Sequence, residues 1–403
     1  MLINEFLDTS HTAFHAVNNV KKMLLEAGFD EINLYSGFVP EKGGKYFVTK
    51  NDSAIIAFRV GNGERPVLKI VESHTDSPAL KVKGKKLIDC PEGKRINTEV
   101  YGGLVLYSMI DIPLKIAGRL LVKENGKVVS KLYESDFFVN VPGLAIHHNP
   151  GVNENCSFNA QTDMLPLLGT SGDDLYAELT DAEVLDADLF VVPAVKSTRT
   201  GRNNEFLASP RIDNLTSVYT SICAIIDSDS PDIEICACFD NEEIGSYTKQ
   251  GARSALLGDI IAALGLSNSD LAYAKEYGFI LSVDNGHAVH PAHPEKSDPL
   301  NKVTLNGGIV IKHHTNYSTD GVSSAILKNI LLTNDVLFQE YYNRSDLRCG
   351  STIGLMSSAA YAMNACDIGL AQLAMHSAIE TVGYNDIALM EKCINAFYLA
   401  DLT

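Results

Sequence analysis

Three apolar runs in this sequence stop in the same manner. "VLKIVESHTD", "DIEICACFDNEE" and "GFILSVDN" each read as a strand, and they end in His74 and Asp76, in Asp240 to Glu243, and in Asp284. Parallel sheets gather their strand ends on one rim, and ligands bind there. The pattern therefore constrains the chain to an α/β fold that delivers an imidazole and several carboxylates to one edge. His74 and Asp76 stand two residues apart, so on extended backbone they share a face. Either both touch one object, or the acid holds the ring while the ring holds something else.

The remainder of the chain is organised discontinuously. "NEFLDTSHTAFHAVNNVKKMLLEAG" has apolar residues at helical spacing and predicts one opening helix that ends at Gly28. Strands are expected around "KYFVTK" and "SAIIAFRVG". From about Lys85 to Arg202 the texture changes to short alternating strands, and Asn125-Gly126 between two such runs is a hairpin signal. Helix and strand patterns then alternate to the end. The expectation is an α/β protein whose mixed, mostly parallel central sheet is flanked by helices, with a discontinuous catalytic domain at 1–84 and 208–403. A β-rich domain, 85–207, is inserted into it as an oligomerisation or lid unit.

Composition excludes several functional classes. No window of the 403 residues approaches the ~18 apolar residues of a membrane span. The N-terminus lacks the basic and unbroken apolar regions of a signal peptide, so a cytoplasmic protein with no membrane partner is expected. Eight cysteines without a zinc-like CxxC pair read as reduced thiols, with Cys236 and Cys238 in a core. A net charge of -17 argues against nucleic acid as a partner. "SDLRCGSTIGLMSSA" is glycine-bearing, but it follows no clear strand and lacks the Lys-Ser/Thr ending of a phosphate-binding loop, which excludes a nucleotide site.

Two further candidates lie outside the three strands. In "SPRIDNLTSVYTSICAII", Asp213 precedes an amphipathic run and is most simply a helix N-cap. In "AQLAMHSAIE", His376 stands just ahead of Ser377-x-x-Glu380, a capping-box pattern.

Taken in order, "ESHTDSPALKVK", "RIDNLTSVY", "CFDNEEIGS", "VDNGHAVHP" and "LAMHSAIE" resemble the M18 metalloaminopeptidases, the family of aspartyl aminopeptidase. The resemblance implies a zinc exopeptidase-like fold with two divalent metal ions per subunit, zinc first and manganese or cobalt as substitutes. It implies that His74, Asp213 and Asp284 surround one ion, that Asp213, Glu243 and His376 surround the other, and that Asp213 bridges them. Asp76 would orient His74, and a metal-bridged hydroxide would attack the first peptide carbonyl with Glu242 as general base. The charges agree: three carboxylates and a hydroxide against two divalent cations leave the site near neutral, whereas the bare carboxylates would repel one another.

For the substrate side, the resemblance points to His287, Lys312 and Tyr317 as contacts and to a preference for N-terminal Asp or Glu on peptides. From "PGLAIHHNP" it points to His147 acting in trans across a subunit contact. The family assembles dimers into a tetrahedral dodecamer, so a homo-oligomer is expected. The competing readings are an M18 enzyme that prefers neutral or Leu-like termini, a related two-metal amide deacylase or carboxypeptidase, and a non-catalytic metal-binding scaffold.

Overall fold

The computed structural model describes residues 1–403. At its centre is a nine-stranded sheet in which five of the eight pairings are parallel. Four parallel strands form its middle, in the order Ile233–Phe239, Leu68–His74, Phe279–Val283 and Asn364–Gly369. The first three are the runs singled out from sequence. Every residue of Leu68–His74 and Ile233–Phe239 is buried, as expected for strands covered on both faces.

Side-chain alternation divides these strands between two cores. Cys236 and Cys238 face one layer, together with helices Ile212–Asp227 and Tyr384–Leu399. Ile233, Ile235 and Ala237 face the other, against helix Leu256–Ala263. Both thiols are fully buried and unpaired, in agreement with the core reading.

An antiparallel five-stranded sheet occupies the middle of the chain, from Ala79–Cys90 to Val184–Pro193, with its own apolar core around Leu80, Ile116 and Val191. Its hairpin turns at Asn125 and Gly126, whose φ values of 50° and 75° are those a two-residue primed turn requires. A further small sheet joins Phe206–Ser209 to Glu380–Gly383, Ala371–Leu373 and Gly286–His287.

Two local expectations are corrected. The opening segment forms two helices, Ile3–Thr9 and Ala13–Glu26, not one. Asn19 donates to the hydroxyls of Thr9 and Ser10, and Thr12 is extended, so polar side chains stabilise a break that periodicity alone does not reveal. The segment at His376 forms no capped helix. His376 sits at a turn with φ 66°, and Glu380 opens a strand.

Candidate metal centre

The site is assembled on the rim where the parallel strands end. His74 is the last residue of its strand, and Asp284 follows Val283, the last residue of the neighbouring one. Beyond Phe239 the chain turns through Asn241 at φ 62°, makes a short 3-10 turn over Glu242–Ile244 and leaves through Gly245 at φ 98°. That turn explains how two adjacent glutamates reach one cleft, which neighbours on an extended strand could not do. Asp213 departs from helical geometry (φ -82°, ψ 109°) at the start of its helix and sends its carboxylate toward the histidines instead of capping.

Asp213 stands between two imidazoles. Its Oδ1 is 3.6 Å from His74 Nε2, and its Oδ2 is 3.4 Å from His376 Nε2. His74 Nε2 also lies 3.5 Å from Asp284 Oδ1, and His376 Nε2 lies 3.2 Å from Glu243 Oε1. Within each of the trios His74–Asp213–Asp284 and Asp213–Glu243–His376, ligand atoms lie within 4.8 Å of one another. Glu242 is as close to His74 and Glu243.

Behind these residues is a supporting layer. His74 Nδ1 donates to the Asp76 carbonyl at 3.0 Å, with Asp76 Oδ1 at 3.4 Å, so the pair two residues apart does hold the ring. The Asp76 carboxylate also accepts from the backbone N–H groups of Glu242 and Glu243, at 3.1 and 3.2 Å, and from the Tyr101 hydroxyl. Glu380 accepts from the backbone N–H groups of Asp213 and His376, at 2.9 and 2.6 Å. Sequence reasoning missed Tyr101 and treated Glu380 only as a capping residue. The single signal available was the spacing of Glu380 from His376.

Proton affinities show what the donors lack when they have only each other. Burial by itself would lower the pKa of His376, but the carboxylates of Asp213 and Glu243 facing its ring push it up to about 11. Burial opposes protonation of His74 as well and is outweighed by Asp213, Asp284 and Asp76. Burial pushes Glu242 up to about 8 and raises Glu243. Asp213 Oδ1 and Glu243 Oε1 are buried without a hydrogen-bond partner. Orphaned carboxylate oxygens facing imidazole nitrogens fit divalent cations, and a mixed N/O donor set suits zinc.

Of the other expected site residues, Lys312 touches this cluster through Asp284, and His287, Tyr317 and His147 belong to neither trio. Lys312 is buried, with Nζ 3.3 Å from Asp284 Oδ2, 3.0 Å from the Asn285 carbonyl and 5.4 Å from the Tyr317 ring centre. His287 and Tyr317 line a neighbouring cavity of about 300 Å³ that also presents Lys296, Arg344 and Arg348. His147 is exposed on a loop after Val141 and belongs to neither trio.

A model of the aminopeptidase I zinc metalloproteases, M18, matches residues 6–398. The chain belongs to the M18 family. As such it is a zinc metalloaminopeptidase, and the scaffold and deacylase readings fall away. It is 40% identical over 427 aligned positions to the probable M18 family aminopeptidase 2 of Clostridium novyi (strain NT), covering 98% of both chains. The corresponding protein of Clostridium acetobutylicum is 38% identical, with 98% of this chain and 97% of the relative covered. Among solved structures, yeast aminopeptidase 1 superposes with a TM-score of 0.84 at 26% identity, covering 98% of this M18 chain and 95% of that one. An M18 aminopeptidase from Thermotoga maritima shares the fold, with a TM-score of 0.86 at 23% identity over 98% of this chain and 94% of its own. The S. cerevisiae mApe1 structure, TM-score 0.84 at 26% identity over 98% and 95% of the two chains, is a dodecamer. No helix is long and apolar enough to cross a membrane.

Proposed function

We propose that this enzyme removes the N-terminal residue of peptides at a two-zinc centre and prefers Asp or Glu at that position. In this reading His74, Asp213 and Asp284 hold one ion, and Asp213, Glu243 and His376 hold the other. Manganese or cobalt would be accepted by the same donors. The observation that carries the reading is Asp213, whose two oxygens face two imidazoles on opposite sides with Glu242 beside them.

When bound, the ions supply Lewis acidity to water and to the scissile carbonyl. The chain's own residues do the rest. Glu242 takes a proton at its carboxylate and returns it to the departing amine. Asp76 keeps Nδ1 of His74 engaged, which leaves Nε2 free to face Asp213 and Asp284. Through its contacts with the amides of Glu242 and Glu243, Asp76 also holds the turn that aims both glutamates.

The acidic preference draws support from the basic cavity that carries His287, Tyr317, Lys296, Arg344 and Arg348, and from Lys312 close by. Lys312 already neutralises Asp284, so a neutral or Leu-like preference is the competing reading. We further assign residues 85–207 to a separate oligomerisation or lid unit, with His147 reaching the substrate site of a partner subunit in a dodecamer. Eight free cysteines suit a reducing compartment such as the cytoplasm. The deciding experiment is Glu242→Gln: release of free amino acid from peptides is expected to fall by about 10²–10⁴-fold while bound metal is retained. Undiminished release would overturn the assignment.

A further inference from the structure

Strand Gly93–Tyr101 of the inserted sheet runs out into the segment Gly102–Ser108, which lies against one half of the metal centre. The Gly103 carbonyl accepts from Nδ1 of His376 at 3.2 Å. Val105 donates its N–H to the His376 carbonyl at 3.1 Å, and Ser108 Oγ accepts from the N–H of Ala378 at 2.8 Å. A Cβ at Gly103 would stand 3.0 Å from His376 Nδ1, and one at Gly102, whose φ is 70°, would stand 3.1 Å from the Cβ of Glu243. Two successive glycines let the backbone come this close.

The contacts are one-sided. His376 and Glu243 both belong to the trio with Asp213, and none of these contacts reaches His74 or Asp284. The ring of His74 is held instead by the Asp76 carbonyl, two residues along its own chain. His376 has more need of outside support. Its φ of 66° lies in the left-handed region, which a residue with a side chain occupies only where its surroundings hold it there. The Gly103 carbonyl also sets the tautomer: with the proton on Nδ1, Nε2 presents its lone pair toward Asp213 and Glu243.

We propose that Gly102–Ser108 is a positioning element for one ion only. Through the Gly103 carbonyl and the hydrogen bonds of Val105 and Ser108, it sets the affinity of the ion held by Asp213, Glu243 and His376 and leaves the ion held by His74, Asp213 and Asp284 unaffected. The proposal rests on the two-ion reading above. It ties occupancy of that one ion to the seating of the inserted sheet: a sheet displaced from the His376 turn leaves a centre with a single tight ion.

The test is a buffered zinc competition titration of the full-length protein and its variants, with thermal unfolding of each as a check on folding. Two binding steps are expected for the wild type. Glu243→Ala removes a ligand of the ion in question and so identifies its step. Gly103→Ala, which pushes a methyl against the His376 ring, and Ser108→Ala, which strips the Ala378 N–H of its acceptor, should each weaken that same step by about 10-fold or more and change the other by less than about 2-fold. Ser108→Thr, which keeps the hydroxyl, should restore it. In the Glu243→Ala background, Gly103→Ala should have no further effect on the remaining ion, whereas general damage to the fold would weaken it. Equal weakening of both steps, weakening of the other step alone, or no weakening would overturn the proposal. Both steps intact in Glu243→Ala would instead overturn the ligand assignment on which it rests.

Discussion

The hydroxyl of Tyr101, on strand Gly93–Tyr101 of the inserted sheet, donates to Asp76 Oδ2 at 2.7 Å. Asp76 in turn holds His74 and the turn that carries Glu242 and Glu243. The β-rich insertion therefore supplies part of the support beneath the metal centre.

Tyr101→Phe removes that donor and one of the two acceptors of Asn241 Nδ2, which keeps Asp240 Oδ1 at 3.2 Å. A loss of about 1–3 kcal/mol is expected in urea denaturation, from the two hydrogen bonds removed, one of them to a carboxylate. Metal affinity in a buffered competition titration should fall by about 10-fold, the lower end for outer-layer partners of a metal ligand.

Metal uptake should release protons. In the metal-free protein at pH 7, His376 is protonated, with a pKa of about 11, and Glu242, at about 8, holds most of its proton. If His376 holds an ion as proposed, metal binding displaces its proton, and affinity should fall as pH falls. Calorimetry in two buffers of different ionisation enthalpy should report net proton release, and equal heats in both would contradict it.

The same values set the stability of the metal-free protein. The folded pKa of His376 lies above its ordinary 6.5, so its contribution is full below pH 6.5 and is lost as pH rises toward about 11. Glu242, raised from 4.5 to about 8, disfavours the folded state progressively across that interval, because the unfolded chain ionises first. Both have the same sign: stability of the demetallated protein should decline as pH is raised from 6.5 to 8. Thermal unfolding after chelation checks this, and a rise over that window would count against it.

Lys312→Met separates two roles for one ammonium. If Lys312 reads an acidic substrate side chain, kcat/KM for Asp- and Glu-peptides should fall by about 10-fold or more relative to Leu-peptides, as for loss of a charged contact. If it only tethers Asp284, both should fall together. A panel of N-terminal residues on one peptide body measures the ratio.

Lys69 offers a control far from catalysis. Its buried Nζ meets the Tyr398 and Ala400 carbonyls at 2.6 and 2.5 Å and Asp232 Oδ2 at 2.8 Å, which ties the C-terminal helix to a central strand. Lys69→Met should cost about 1–3 kcal/mol by leaving the Tyr398 and Ala400 carbonyls without their donor, with metal stoichiometry unchanged.

How much of this was legible beforehand follows from the range of each interaction. Strand ends at His74, Glu242, Glu243 and Asp284 could be read directly, because burial and its abrupt end are local properties of the chain. The Asn125-Gly126 hairpin was readable for the same reason, since only a few residue types tolerate its dihedral angles. Asp213 looked like a helix cap and His376 like a residue just ahead of a capping box, and a one-dimensional reading favoured that. Their actual surroundings are supplied by residues more than a hundred positions away, so their carboxylate and imidazole meet only once the sheet has closed. Tyr101 carried no local mark at all. What the sequence determined by itself was where polar groups interrupt buried strands. The tertiary structure alone decided which of those groups face one another, because hydrogen bonds and charge pairs depend on distance in space.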